Sequence, residues 1–454
     1  MIQVDRKKFS FLLITLLCFA GCSGGIKTTV YEEKAGNDGV LSIHEGIFSN
    51  EAQRVKYKTE GKTRAIIELS APVKVSQSDR KEAWGFYQFP SIAKADDGTL
   101  IVSWSMVNDS HESYGKKSDR PVGPMVSKDG GITWQTIDKN YNAYARGYNG
   151  RRRNGDILEV VTPESKDIRA YDPFPEEVGR AGNISFYPMD SLPEEFRGVY
   201  FKYRAKEGET SSFHATLKDP GLLRYAIDGK MPVVWWGNIE ELADNSLVAG
   251  VYPCYYLDEN GLVQPVSASF YRSGDNGRSW VFESNIPFKD GNAFKGGDHG
   301  FTEPAFKILK DSTFICVMRT GSRSSLYKTF SYDRGKTWTD PVPFTPNGVL
   351  PNLLKLDNGV LVLSSGRPGV QLRFSLDGTG ERWTEPIDMI HFMKEDGTYT
   401  LDVSCGYTSM IENDRDSFFL VYSDFTTKNS DGEPRKSIWC RKVRVIRKRM
   451  QSGK

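Results

Sequence analysis

The sequence predicts an all-β protein, a six-bladed β-propeller, and three observations carry that prediction. The phrase Ser-x-Asp-x-Gly-x-x-Trp occurs at Ser127–Trp134, Ser273–Trp280 and Ser331–Trp338, with a copy one residue longer at Ser375–Trp383. A polar turn followed by an apolar strand recurs in phase with it. No long stretch holds a helical period, while 43 Gly, 22 Pro and 12% aromatic residues supply turns and rings.

Each part of the phrase has a physical use. An Asp carboxylate accepts hydrogen bonds from the N–H groups of its own turn, and Gly takes up positive φ. Trp then enters the next strand and buries a large ring. One copy is a hairpin. Three strict copies and a loose fourth are an internal repeat.

Taken in order, the chain opens with a segment outside the fold. Arg6-Lys7-Lys8 precede an apolar run from Phe9 to Ala20, then Gly21-Cys22-Ser23. The run is too short for a permanent membrane helix and has the flanks of a secretory signal, expected over residues 1–21. Phe19-Ala20-Gly21-Cys22 resembles a bacterial lipobox, with Phe where Leu is usual. That resemblance implies cleavage before Cys22 and a lipid on its sulfur; an ordinary signal peptide cut nearby is the alternative. An exported protein of the bacterial envelope is expected, facing the periplasm or on the outer-membrane surface, and touching the membrane only through this anchor.

Residues 22–75 read as a tether and lead-in, and residues 76–448 as the propeller. Its turn-and-strand units begin around Gly98, Ser246, Ser312, Gly359 and Ser417, at intervals of 148, 66, 47 and 58 residues. A propeller blade takes about 40–50 residues. The three shorter intervals are one blade each, and the long one holds a further blade plus an insertion within 135–230. Five visible turns and one degenerate blade make six. The strand-like Ser437–Val445 can close the ring against N-terminal strands, removing the open edges that invite aggregation. A monomer is expected.

Composition excludes some functions. Net charge is +2, and Arg6, Lys7 and Lys8 against Asp5 account for it, so the body is balanced. A nucleic-acid partner, which needs a concentrated basic face, is not expected. Arg151-Arg152-Arg153 reads as a solvated loop. Cys254, Cys316, Cys405 and Cys440 match no metal spacing, and three of them sit in apolar runs as small buried hydrophobes. His111 and Glu112 are adjacent rather than four apart on a helix, so no metal site is expected, and no cofactor.

With the repeats and their phase in hand, residues from about Trp84 to Val445 resemble the sialidase (neuraminidase) superfamily. The repeat turns are structural and occur on propellers of many activities, so the strand-borne residues carry the functional argument. Glu303, in His299-Gly300-Phe301-Thr302-Glu303-Pro304, is followed by a hairpin and then Arg319. The resemblance implies that Glu303 is a base and Arg319 a carboxylate-binding arginine. It implies the same clamp role for Arg367, eight residues before Ser375, and a nucleophilic role for Tyr407. Sialidases depart from the two-carboxylate rule of glycosidases and use tyrosine. Their anomeric carbon bears a carboxylate that would repel an anionic nucleophile, whereas arginines hold it bidentately.

Two positions depart from the family pattern. The first clamp arginine belongs to an Arg-Ile-Pro phrase, and here Gln88-Phe89-Pro90 stands in its place. Gln donates only a neutral hydrogen bond, which weakens the case for sialic acid itself and leaves another acidic or neutral sugar open. The acid/base loop reads Asn108-Asp109-Ser110-His111-Glu112, with Asp109 nearest to the family's aspartate and His111 or Glu112 as other proton donors. His111 and His299 both fall in expected site loops, and Trp235-Trp236 offers a ring for a sugar or for the core. The leading expectation is an exo-acting, retaining glycoside hydrolase on a glycan or oligosaccharide. A polysaccharide lyase using His111 or His299 with Tyr407, and a non-catalytic glycan-binding propeller, remain as alternatives.

Overall fold

The computed structural model of the chain describes residues 26–33, 46–48, 50–59, 62–120, 122–137, 149–206, 208–289, 298–310 and 312–448. The expected signal segment and Cys22 lie outside them. The described residues are all-β and propeller-like, built from four-stranded antiparallel meanders. One runs through Phe86–Lys94, Leu100–Met106, Met125–Ser127 and Gln135–Thr136. Another uses Trp236–Glu241, Leu247–Cys254, Ser267–Ser273 and Ser279–Ile286. The next uses Asp298–Ile308, Phe314–Gly321, Leu326–Ser331 and Val342–Thr345. It is followed by Val349–Lys355, Leu361–Gly366, Val370–Ser375 and Ile387–Asp388.

The final meander is Thr408–Asp414, Ser417–Asp424 and Ser437–Arg447, completed from the other end of the chain. Ser437–Arg447 pairs with both Val73–Gln77 and Lys62–Leu69, and Gln53–Thr59 and Lys27–Glu33 extend that sheet. The described residues of the expected tether are therefore largely strand. Gln53–Thr59 alternates buried and half-buried residues, with Val55 and Tyr57 inward, so its apolar face has a sheet to join.

The first strands of successive meanders stand side by side, and side chains tie them. Asn238 and Phe306 exchange two hydrogen bonds of 3.0 Å and Ser409 accepts from the N–H of Ile92 at 3.3 Å, while Ser364, on a second strand, meets Thr408 at 2.7 Å. The core lies in the wedges between meanders. Val362 packs toward Phe418 and Leu420, while its neighbour Leu363 packs the opposite way, toward Leu353 and Val317. Phe419 and Val421 in turn face Val102 and Ile92. Sheets covered on both faces explain why these strands are continuous apolar runs rather than alternating ones. Each fully buried Leu, Val or Phe contributes about 1.5–3 kcal/mol.

The recurring turn joins the last two strands of a meander. In Ser331–Trp338 the Ser331 hydroxyl bridges Asp333 Oδ1 and the N–H of Gly335, both at 2.8 Å, and Asp333 accepts from Thr337 N at 2.9 Å and Thr337 Oγ1 at 2.6 Å. The same bonds hold Asp129 and Asp275 in their copies. Trp280 is fully buried.

The stretch from 149 to 231 does two things. Asn149–Arg151, Ile157–Val161, Val199–Arg204 and Thr210–Lys218 form an antiparallel run, whose last strand pairs in parallel with Ser279–Ile286. A separate five-stranded sheet is made by Lys166–Asp167, Lys230–Met231, Leu223–Ile227, Ile184–Pro188 and Gly179–Ala181. Arg152, expected in a solvated loop, is mostly buried and bonds Glu241 at 2.9 Å, tying this stretch to the neighbouring meander. All four described cysteines are free and buried.

Candidate active site

Three inner strands carry the same irregularity at the same place. The ladder of Asp298–Ile308 breaks between Thr302 and Ala305, where Glu303 has φ 49° and Pro304 offers no N–H. The ladder of Phe86–Lys94 breaks between Gln88 and Ser91, around Phe89 at φ 53° and Pro90. Val349–Lys355 breaks between Val349 and Asn352, around Leu350 at φ 36° and Pro351. Positive φ at a non-glycine residue costs about 1–3 kcal/mol and persists only where surroundings enforce it. Each break frees one side chain from the strand alternation and turns it toward a cavity of about 930 Å³ along the axis, whose lining includes Phe89, Glu303 and Leu350.

Tyr407 and Asp109 line the same cavity. The Tyr407 hydroxyl donates a short hydrogen bond to Glu303 Oε1. Arg319 Nη1 reaches that same oxygen at 2.7 Å and the Tyr407 oxygen at 3.4 Å. The other Glu303 oxygen accepts from Leu350 N–H at 2.7 Å, so the carboxylate is fixed at both ends. Its side chain is 3% exposed, that of Arg319 17%. Arg319 is oriented in turn by the Gly321 carbonyl and Ser322 hydroxyl, both at 3.0 Å. Burial alone would lower its pKa, but Glu303 and Tyr407 outweigh burial and hold it above the ordinary arginine value. The Phe89 ring covers Tyr407 at 4.8 Å between centroids.

Arg367 stands on the hairpin between Leu361–Gly366 and Val370–Ser375, with φ 52°. Two glycines bring this hairpin onto the Tyr407 segment. A Cβ on Gly366 would lie 2.1 Å from Gly406 Cα, and Gly406 itself has φ 82°. The Arg367 guanidinium lies 5.6 Å from the centroid of Trp84 and forms no salt bridge among the described residues. Burial, and then Arg319, lower its pKa. Among the described residues this cation is held against Trp84 with no salt-bridge partner. Trp84 also donates its indole N–H to Asp109 Oδ2 at 2.8 Å.

The structure thus brings Glu303, Arg319 and Tyr407 into one hydrogen-bonded group, with Arg367 and Asp109 joined to each other through Trp84. It does not bring Gln88 there. Gln88 is 0% exposed, accepts from the Gly85 N–H at 2.8 Å through Oε1, and leaves Nε2 without a partner among the described residues. Its neighbour Phe89 takes the place at the mouth. His111 opens a single 3-10 turn, its carbonyl accepts from Ser165 at 3.3 Å, and its side chain is not part of the cavity lining. Glu112 is exposed. His299 lies on the strand Asp298–Ile308, and its side chain falls outside the described residues. The Trp235-Trp236 pair is split. Trp235 packs in the core against Trp280 and Tyr271, while Trp236 lines the cavity.

Sequence reasoning missed Trp84, Phe89 and Leu350. The signal was there for two of them, in the recurring residue-Pro pair at the start of an apolar strand: Phe89-Pro90, Glu303-Pro304, Leu350-Pro351.

No protein-family model matches the sequence. Among solved structures, a protein of unknown function from Dyadobacter fermentans DSM 18053 is similar at 17% identity, covering 83% of this chain and 99% of that one, with a TM-score of 0.52. Looser likenesses include the Hadza microbial sialidase Hz136, at 16% identity over 79% and 65% of the two chains with a TM-score of 0.45. The NanB sialidase from Streptococcus pneumoniae matches at 14% identity over 82% and 70%, with a TM-score of 0.43. At these identities the likeness is one of fold.

Proposed function

We propose that this chain is an exported, sialidase-like, exo-acting retaining glycoside hydrolase that removes an acidic terminal sugar from glycans. The reading takes the fold as a six-bladed propeller, with the run from Asn149 to Lys218 as the degenerate blade. It also takes Cys22 as a lipidated first residue of the mature protein. One observation carries the functional part: the Tyr407 hydroxyl donates to Glu303 while Arg319 contacts both. A phenol already hydrogen-bonded to a fixed carboxylate can lose its proton as it attacks, and the guanidinium favours the phenolate that develops.

In the first step Tyr407 oxygen bonds to the anomeric carbon, its proton passes to Glu303, and the glycosidic bond breaks. Asp109 gives a proton to the departing oxygen. In the second step Asp109 takes a proton from water, the water oxygen bonds to the anomeric carbon, and Tyr407 leaves and recovers its proton from Glu303. Arg319 and Arg367 hold the sugar's carboxylate. With Gln88 buried, that clamp has two arginines rather than three, which fits an acidic sugar held less tightly than in a three-arginine site.

The test is incubation of the purified protein with sialosides and uronate-containing glycans, reading released sugar by chromatography and absorbance in parallel. Release from the wild type and none from Tyr407→Phe supports the assignment. Full activity in Tyr407→Phe ends it. New ultraviolet absorbance from an unsaturated sugar means a lyase instead.

A further inference from the structure

Beside Asp109 the cavity wall changes character. Tyr114, Trp236 and Tyr252 all line it, and none belongs to the catalytic group. Trp236 and Tyr252 face each other across an antiparallel strand pair, with ring centroids 5.5 Å apart, and Tyr114 meets Trp236 edge-on at 5.2 Å. All three are only half-buried. Burial, and then the Asp109 charge, push the Tyr114 hydroxyl up to about 12, so this ring is a close neighbour of the acid. At the other end Tyr252 is within electrostatic reach of Arg319. The three rings therefore form a wall running from Asp109 toward Arg319.

The five-stranded insertion stands behind that wall. Phe186, Tyr225 and Val234 from residues 184–234 pack with Tyr255 and Val266 into one cluster, and Tyr114, Trp236 and Tyr252 rest on it. The loop carrying Tyr114 is also pressed onto the start of that stretch, since a Cβ on Gly115 would lie 2.4 Å from the Pro163 carbonyl carbon.

A general acid must sit against the oxygen that leaves, so a surface beside the acid meets the departing group rather than the sugar being cut off. A half-buried aromatic wall in a polar-mouthed cavity suits the apolar face of a sugar ring. We infer that Trp236, with Tyr114 and Tyr252, forms a leaving-group subsite that stacks on a neutral pyranose ring, making the substrate an oligosaccharide recognised on both sides of the scissile bond. This rests on the assignment of Asp109 as the acid.

The test separates the subsite from the catalysis. Binding of lactose, N-acetyllactosamine, cellobiose and xylobiose to the wild type is measured by calorimetry, then repeated with Trp236→Ala, Trp236→Phe and Tyr114→Leu, with circular dichroism and thermal unfolding as folding controls. At least one disaccharide is expected to bind in the millimolar range, about tenfold or more weaker in Trp236→Ala and within about threefold of wild type in Trp236→Phe. If Trp236→Ala does not fold, Tyr114→Leu carries the test with the same expected direction. No binding by any of the four, or binding indifferent to these substitutions, overturns the subsite. Binding that depends on Trp236 in a protein that hydrolyses nothing leaves the subsite standing and removes the catalytic reading. Hydrolysis of an acidic oligosaccharide with kcat/KM unchanged in Trp236→Ala does the reverse.

Discussion

The two ladder breaks at Gln88-Phe89-Pro90 and Thr302-Glu303-Pro304 share a backbone and differ in what they deliver. Each has a residue at positive φ before a proline, and each turns that residue to the mouth of the axial cavity. One delivers a phenyl ring that lies on Tyr407, the other a carboxylate that accepts the hydrogen bond of its hydroxyl. The residue just before differs as well: Gln88 is buried against the Gly85 backbone, and Thr302 stands opposite Arg319. The same device thus aims a side chain, and the identity of that side chain decides whether the position offers a carboxylate or a ring to Tyr407.

The largest effect is expected at Glu303. Glu303→Gln keeps the shape and the Leu350 contact but cannot take a proton, so turnover of whichever glycan the wild type cleaves should fall by about 100-fold or more, with folding intact by circular dichroism. An equally active Glu303→Gln protein would remove the distinction between the two breaks. Gln88→Arg comes next. Gln88 is 0% exposed and held to the Gly85 N–H, so a guanidinium there would be a buried charge, and chemical denaturation should show a loss of about 2 kcal/mol or more and no tighter binding of acidic sugars. Tighter binding would mean that this side chain can swing to the mouth after all. Phe89→Ala uncovers a half-buried ring contact, and denaturation midpoints should report about 1–2 kcal/mol of lost stability, with activity reduced but present.

The smallest effect belongs to the far turns. Burial pushes the Asp333 carboxyl up, but hydrogen bonds from Thr337 and Ser331 outweigh it and hold it below the usual carboxylate range. A lowered folded value means that this group's stabilisation is complete above the unfolded value near pH 4 and is lost as pH falls through the folded value. Asp333→Asn should therefore cost about 1 kcal/mol at neutral pH, lose that difference progressively below about pH 4, and leave kcat/KM unchanged.

How much of this was legible follows from the same contrast. The turns were readable because Ser, Asp, Gly and Trp act locally, and the side chains of Ser331 and Asp333 bond within their own loop. Glu303, Arg319 and Tyr407 could be grouped only through the resemblance to the sialidase superfamily, and the hairpin that sets Thr302 opposite Arg319 brings just the first two together locally. Gln88 was another matter. Strand alternation predicts which face a residue takes, and a break in the ladder overrides it, so Gln88 went inward and Phe89 outward. Trp84 escaped notice because its partners, Asp109 and Arg367, are distant in sequence and meet only in the assembled ring. The strands of 53–69 were hidden by their charges, although Val55, Tyr57 and Ile67 kept the two-residue period.

The pairing of Ser437–Arg447 with Val73–Gln77 and Lys62–Leu69 has a consequence for how the molecule is made. Lys62–Leu69 can pair with Gln53–Thr59 as it emerges, but its other edge and the strand Val73–Gln77 have no partner among the described residues until Ser437–Arg447 has been synthesised. During that wait their N–H and C=O groups are open to water and to other chains. Assembly therefore cannot be completed piecemeal from the N-terminus: the clasp shuts only when residues 437–447 arrive, and a ribosome still holding them keeps that sheet open.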